Sequence, residues 1–363
     1  FFNSVSKTES MGLYTSALTC LVLLTATPSS DAFSVLPSNR PVFTSVHSKS
    51  ALNAIGVLAR KAKEAEVRSY VEGGVEEDVL AKYEAMKGGA PESNDPGPVQ
   101  TSLTKRKGNI CIISEYKKKF ESAGFIDEIL EPNIISSTFR EFGASAVSVL
   151  ADERVGGCTY DDIKIIVKEQ SNSKGEVPGP LPVISSDVIV DEIQIARAAA
   201  AGAEAYFVTM SVVGPDKIQE FVKLGSAIGM ETIVNVSGKD EAQKAVDMGA
   251  RMICISGADV NAKVEAKEGV SAPGDEQVCF IASIGARDDK SLAEVEEVWQ
   301  LRDKGFQGAF VSDCLYKSGN DSTEHPGAII RSMKAKSSVK WASVKARGGK
   351  GEGAKEYLGD IMM

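Results

Sequence analysis

Histidine is almost missing from this chain of 363 residues; His47 and His325 are the only two. That count leaves no room for a His-based catalytic triad or a multi-histidine metal site. Six cysteines occur, but none pairs in a CxxC motif and none shows metal-ligand spacing. Cys111, Cys254, Cys279 and Cys314 sit in or beside apolar, β-like runs, where a buried reduced thiol is expected. No GxGxxG follows the first apolar run of the globular part, and no P-loop appears anywhere. A basic excess is missing too: the net charge is -9, which argues against a nucleic-acid binder. What remains is an ordinary globular composition, 43% hydrophobic and 25% charged, with chain enough for one large domain or two small ones.

The first 54 residues read as address rather than fold. With translation starting at Met11, residues 16–26 (SALTCLVLLTA) make an apolar core of signal-peptide length, short for a membrane span. From Phe33 to Ala54 the chain is Ser-rich, carries Arg40 and Lys49, and has no Asp or Glu. An apolar core followed by an acid-free, Ser-rich stretch resembles the bipartite presequences of algae with complex plastids. The alternative is a plain secretory signal and a linker. The odd set of five cysteines beyond this segment disfavours an extracellular disulfide protein, so the expectation is a plastid protein.

Helical spacing over residues 54–86, broken at Gly73-Gly74, predicts an N-terminal helical extension. A Gly-, Pro- and Ser-dense segment (GGAPESNDPGPVQTSLTKRKG) then reads as a loop. After Gly108 a short β-branched run, a turn and an amphipathic helix recur. Strands are predicted at 110–116, 146–150, 182–185, 205–209, 231–236, 252–255, 278–283 and 308–311, with helices at 191–201, 216–228, 239–248 and 291–304 between them. Gly202, Gly229, Gly249 and Gly305 fall where left-handed helix caps are expected. Strands alternating with helices at this spacing fit an α/β fold of the (β/α)₈ TIM barrel class, and Val/Ile-rich strands suit a parallel sheet covered on both sides. The expected organisation is a presequence (1–54), a helical extension and linker (55–107), the barrel (108–335) and a basic, Gly-rich tail (336–363).

In such a barrel the site is built where strands end. The first strand ends Ile112-Ile113-Ser114-Glu115-Tyr116-Lys117, which points Glu115 and Lys117 to the same face. Together with SAVSVLADE, LPVISSDVIVDEIQIARAAAAGA, GMETIVNVSGKDEAQKAVDMGARMICIS and the helix around VLARKAKEAEV, this run resembles the indole-3-glycerol phosphate synthase family of tryptophan biosynthesis. The resemblance covers about residues 53–335. It implies a decarboxylating cyclisation of a carboxyphenylamino-deoxyribulose phosphate, run without metal or organic cofactor. A lysine acid, a glutamate base and a phosphate cradle in the last two βα loops would do the work.

Carried over position by position, Glu115 and Lys117 match the family's first-strand pair. The Ser-Pro-Ser that follows in the family reads Phe120-Glu121-Ser122. The third-strand lysine acid is Ser186, followed by Asp187 and Val188. The fifth-strand glutamate base is Asn235, and an amide is no proton acceptor near neutral pH. The sixth-strand Asn is Ser256, and the seventh-strand Glu is Ser283. In the cradle Gly285 is kept, while the eighth-strand Gly-x-Ser reads Ser312-Asp313-Cys314, which sets a carboxylate where a phosphate should bind. The second-loop aromatics read Arg154-Val155-Gly156-Gly157.

A positioned acid or base contributes about 10² to 10⁴ each, so losing both implies a severely slowed family reaction. Glu115 and Lys117 then remain as an inherited ion pair steadying the strand end. The expectation is a catalytically impaired barrel reused as a structural or binding subunit. An active synthase, or a lyase acting on another small anionic metabolite, is the alternative. Trp341, Lys345, Arg347 and Lys350 in the cationic tail are candidates for docking an acidic protein complex or an anionic membrane surface. No nucleic acid is expected as partner.

Overall fold

The computed structural model describes residues 49–89, 95–105, 109–119, 131–257, 259–271, 278–286, 292–316 and 326–335. Residues 1–48 of the expected presequence and the Trp341, Lys345, Arg347 and Lys350 tail lie outside the described residues, as does Phe120-Glu121-Ser122, while residues 49–54 fall in the first helix. Eight parallel strands close in sequence order: β1 (Cys111–Tyr116), β2 (Ala146–Val149), β3 (Val183–Ser185), β4 (Ala205–Thr209), β5 (Glu231–Val236), β6 (Met252–Ile255), β7 (Cys279–Ile284) and β8 (Gly308–Val311). Closure joins β8 to β1, with Ile113 beside Phe310 and Ser114 beside Val311. A closed parallel barrel wrapped in helices is a (β/α)₈ TIM barrel.

Each strand is apolar on both faces because both are covered. Inward, Cys111, Ile113, Ala146, Ile184, Phe207, Ile233, Cys254, Ile281 and Phe310 fill the barrel. Outward, Ile112, Tyr116, Val147, Val149 and Val183 pack under the helices. The five cysteines within the described residues are all buried and free. Gly202, Gly229, Gly249 and Gly305 adopt positive φ at the helix ends.

Among the described residues three helices precede the barrel: α1 (Lys49–Gly73), α2 (Glu77–Gly88) and α3 (Pro98–Thr104). The third corrects the loop expected over that segment. Pro98 opens it in the first turn, where a missing N–H costs nothing. Its Val99 and Leu103, one turn apart, plug the floor of the barrel among the inward side chains. Glu231, at the start of β5, accepts from the N–H groups of Val99 at 2.6 Å and Gln100 at 3.0 Å, supplying the anion a helix N-terminus favours. The capping carboxylate is distant in sequence, so local composition alone reads as loop.

Around the barrel follow α4 (Pro132–Glu141), α5 (Tyr160–Asn172), α6 (Glu192–Ala200), the single turn α7 (Met210–Val213), α8 (Pro215–Ala227), α9 (Lys239–Asp247), α10 (Val260–Glu268), α11 (Leu292–Asp303) and α12 (Pro326–Lys334). A 3₁₀ turn, Asp313–Tyr316, follows β8. α1 packs against α7, and α2 against α6 and α8, so the extension lies along the flank built from β3 to β5. Arg197 of α6 stacks between the rings of Tyr70 on α1 and Tyr160 on α5, at 3.8 and 4.2 Å. Such cation–π contacts tie the extension to the barrel wall. Among the described residues, no helix is long and apolar enough to cross a membrane.

Candidate functional site

The carboxyl ends of β1, β3, β5, β6 and β8 bring several of the singled-out side chains together. Glu115 is almost wholly buried. Ser312 donates its hydroxyl to the Glu115 carboxylate, and Ser186 does the same from the end of β3. Burial holds the Glu115 carboxyl above the usual carboxylate range, although the Lys117 cation and both hydroxyls pull the other way. Lys117 is also buried and forms an ion pair with Asp313. The Glu115–Lys117 attraction expected at this strand end acts alongside these contacts. Glu115 takes hydroxyls, while Lys117 takes a carboxylate from the turn after β8.

Asn235 and Ser256 form a second contact, the serine hydroxyl donating to the amide oxygen at 2.8 Å. Ser283 is half-buried on β7, and Gly285 lies just past that strand with open space where a side chain would project. Neither carries a charge. At Asn235, Ser256 and Ser283 the inner rim thus presents an amide and two hydroxyls.

The loop after β2 explains its own glycines. Gly156 presents its carbonyl to the N–H groups of Lys118 at 2.7 Å and Lys119 at 3.1 Å. A Cβ on Gly156 would meet the Leu150 carbonyl oxygen at 2.4 Å, closer than real contacts allow. The loop lies flat against the end of β1, and that close approach needs glycine.

One residue of this region escaped the sequence reading. Lys63 of α1 is 2% exposed, with its ammonium 2.7 Å from Asp187 and 2.9 Å from both Asp152 and Glu66. Asp187 also accepts from the Tyr160 hydroxyl and the Gln194 amide, both at 2.8 Å. Asp152 accepts from the N–H groups of Arg154 and Val155. Burial disfavours the charge on Lys63, but Asp187, Asp152 and Glu66 outweigh it and raise its pKa. Burial likewise opposes the Asp152 charge, and Lys63 outweighs it, leaving that carboxyl below its ordinary value. The signal was present: Ala59, Lys63 and Val67 recur every fourth residue along the buried stripe of α1. A lysine inside an apolar stripe needs a buried anion.

Among the described residues no group of His, Cys, Asp and Glu is placed to hold a metal ion. The polar side chains gather at the carboxyl ends of a closed parallel barrel, the position where barrels of this architecture carry their chemistry. The family model described as indole-3-glycerol phosphate synthase matches residues 64–322 of the chain. The chain belongs to that family.

An indole-3-glycerol phosphate synthase of Leptospira interrogans is 39% identical over 138 residues, 38% of this chain and 50% of that protein. The namesake of Chlorobaculum tepidum is 26% identical over 65% of this chain and 87% of its own length. That of Chloroherpeton thalassium is 30% identical over 57% and 75%. Among solved structures, a chain of a designed cube-shaped, highly porous protein cage aligns with a TM-score of 0.44 at 15% identity, covering 70% of this chain and 82% of that one. That likeness is too loose to bear on function.

Proposed function

We propose that this chain is a member of the synthase family that has lost the family's proton-transfer chemistry and serves in the plastid as a structural or binding subunit. One observation carries the reading. The positions that resemble the family's acid and base hold Ser186 and Asn235, and the ionisable groups kept nearby are engaged within the protein. Lys117 pairs with Asp313, Glu115 is hydrogen-bonded by Ser312 and Ser186, and Asp187 and Asp152 pair with Lys63. A hydroxyl or an amide cannot shuttle protons as a positioned lysine or glutamate does.

The family substrate, a carboxyphenylamino-deoxyribulose phosphate, gives an indole product whose fluorescence reports turnover. Residues 53–363 are expected to show none above background. Turnover at ordinary enzyme rates, about 1 s⁻¹ or more, sinks the proposal. Restoring Ser186→Lys with Asn235→Glu tests the positional match, and weak activity gained by the double variant supports it.

A second reading rests on Glu115. A buried carboxyl held above its usual range can keep a proton where an ordinary one has lost it, as a general acid must. On that reading the chain is an active synthase or a lyase for another small anionic metabolite, and the same assay decides. Docking by the tail around Trp341, Lys345, Arg347 and Lys350 is tested by recovery of the native complex from plastids with and without residues 339–363. Identical partners from both forms count against docking. A fluorescent protein carrying residues 1–54 that fails to enter plastids counts against the address.

A further inference from the structure

The end of β8 bends back onto β1 at three points. Ser312 donates to the Glu115 carboxylate, Asp313 pairs with Lys117, and the Tyr316 hydroxyl donates to the Glu115 backbone carbonyl at 2.7 Å. All three groups come from Ser312 and the 3₁₀ turn that follows it. The ion pair is partly shut from water, with the Lys117 side chain 9% and the Asp313 side chain 14% exposed. A charge pair in such a place is screened far less than one on the open surface.

A carboxylate fixed by its own backbone competes for the lysine as if present at high concentration. Even a short flexible tether gives an effective concentration on the order of millimolar, and a turn pinned on both sides is stiffer than that. An oxyanion arriving from solution must displace it and bring its own charge against a carboxylate.

We propose that Asp313 is a built-in ligand: it fills the oxyanion position on Lys117 and keeps the mouth of the barrel closed to phosphate and carboxylate groups. The inference deepens the reading above, on which it rests for the place of the ligand. It concerns capture of an anion rather than turnover. An ordinary structural ion pair would steady the strand end without excluding any ligand, and the two roles separate by experiment.

Inorganic phosphate is titrated calorimetrically into the full chain at low ionic strength. The wild-type chain is expected to bind weakly. Asp313→Asn is expected to bind at least tenfold tighter, and the double variant Asp313→Asn, Lys117→Met to return to the wild-type level. Asp313→Ser gives the same comparison should the asparagine variant not fold, with circular dichroism as the control. Equal affinity in wild type and folded Asp313 variants overturns the proposal, and so does tightening that survives Lys117→Met. Low-micromolar phosphate binding by the wild-type chain overturns it with no variant at all. Turnover in the fluorescence assay would remove the impaired-enzyme reading and leave this titration to stand or fall separately.

Discussion

Ser186 and Asp187 are neighbours at the end of β3, and their surroundings contrast. Ser186 meets Glu115 inside the mouth, in a rim of hydroxyl and amide groups. Asp187 turns to the helices and joins Lys63, Tyr160 and Gln194 in a buried, fully bonded cluster. The outer charges fix α1 to the barrel, while Ser186, Asn235 and Ser256 set hydroxyl and amide groups on the inner side beside Glu115. Architecture and chemistry make separate demands on one strand end, and the two neighbouring residues face them separately.

Lys63→Met should bring the largest loss. It leaves Asp152 and Asp187 buried without their cation, which costs about 3–5 kcal/mol in thermal or urea unfolding. Adding Asp187→Asn to that variant should recover part of the loss. A cost under 1 kcal/mol would erase the distinction between the two sides.

Asp152→Asn keeps the acceptor for Arg154 and Val155 but removes the charge, so its loss should be smaller and pH-dependent. The folded-state pKa of Asp152 lies below its unfolded value, about 3.9. Wild-type advantage over this variant is therefore fully present above that pH and fades as pH falls through the depressed value. Unfolding curves at pH 7 and pH 3 check the sign; an advantage that grows in acid contradicts it.

On the inner side, Ser256→Ala removes one hydrogen bond to Asn235 and should cost about 1 kcal/mol. A loss as large as that of Lys63→Met would show the rim to be structural after all.

Glu115→Gln should be the mildest change, and of opposite sign. Burial raises the folded-state pKa of Glu115, so the wild type loses stability as pH climbs from the unfolded value toward the raised one. The glutamine variant should match the wild type near pH 4 and exceed it at pH 7. A lower melting temperature at pH 7 would mean that the Lys117 charge outweighs burial.

The barrel was legible because its signals are local. Each strand is a short apolar run closed by turn residues, and helix ends carry glycine with positive φ, so observed strand limits fall within a residue of those expected. Ser186, Asn235, Ser256 and Ser312 were found from position along those strands. What escaped depends on partners far along the chain. α3 is a short helix in a loop-like composition, and its N-terminal anion comes from β5. Lys63 reads as one more helix lysine until Asp152 and Asp187 fold against it. The Asp313–Lys117 pair joins the two strands that close the ring, and spacing in sequence does not show it.

The floor helix has a consequence for how the chain assembles. Its amides are held by Glu231, 132 residues beyond Val99, so their partner is absent until the fifth strand is in place. Closing so long a loop is slow for reasons of chain entropy. A ribosome that has released only the first four strands has thus made a barrel half whose base is still open. A nascent chain arrested before Glu231 should leave Val99 and Leu103 open to protease, and one extended past β5 should protect them.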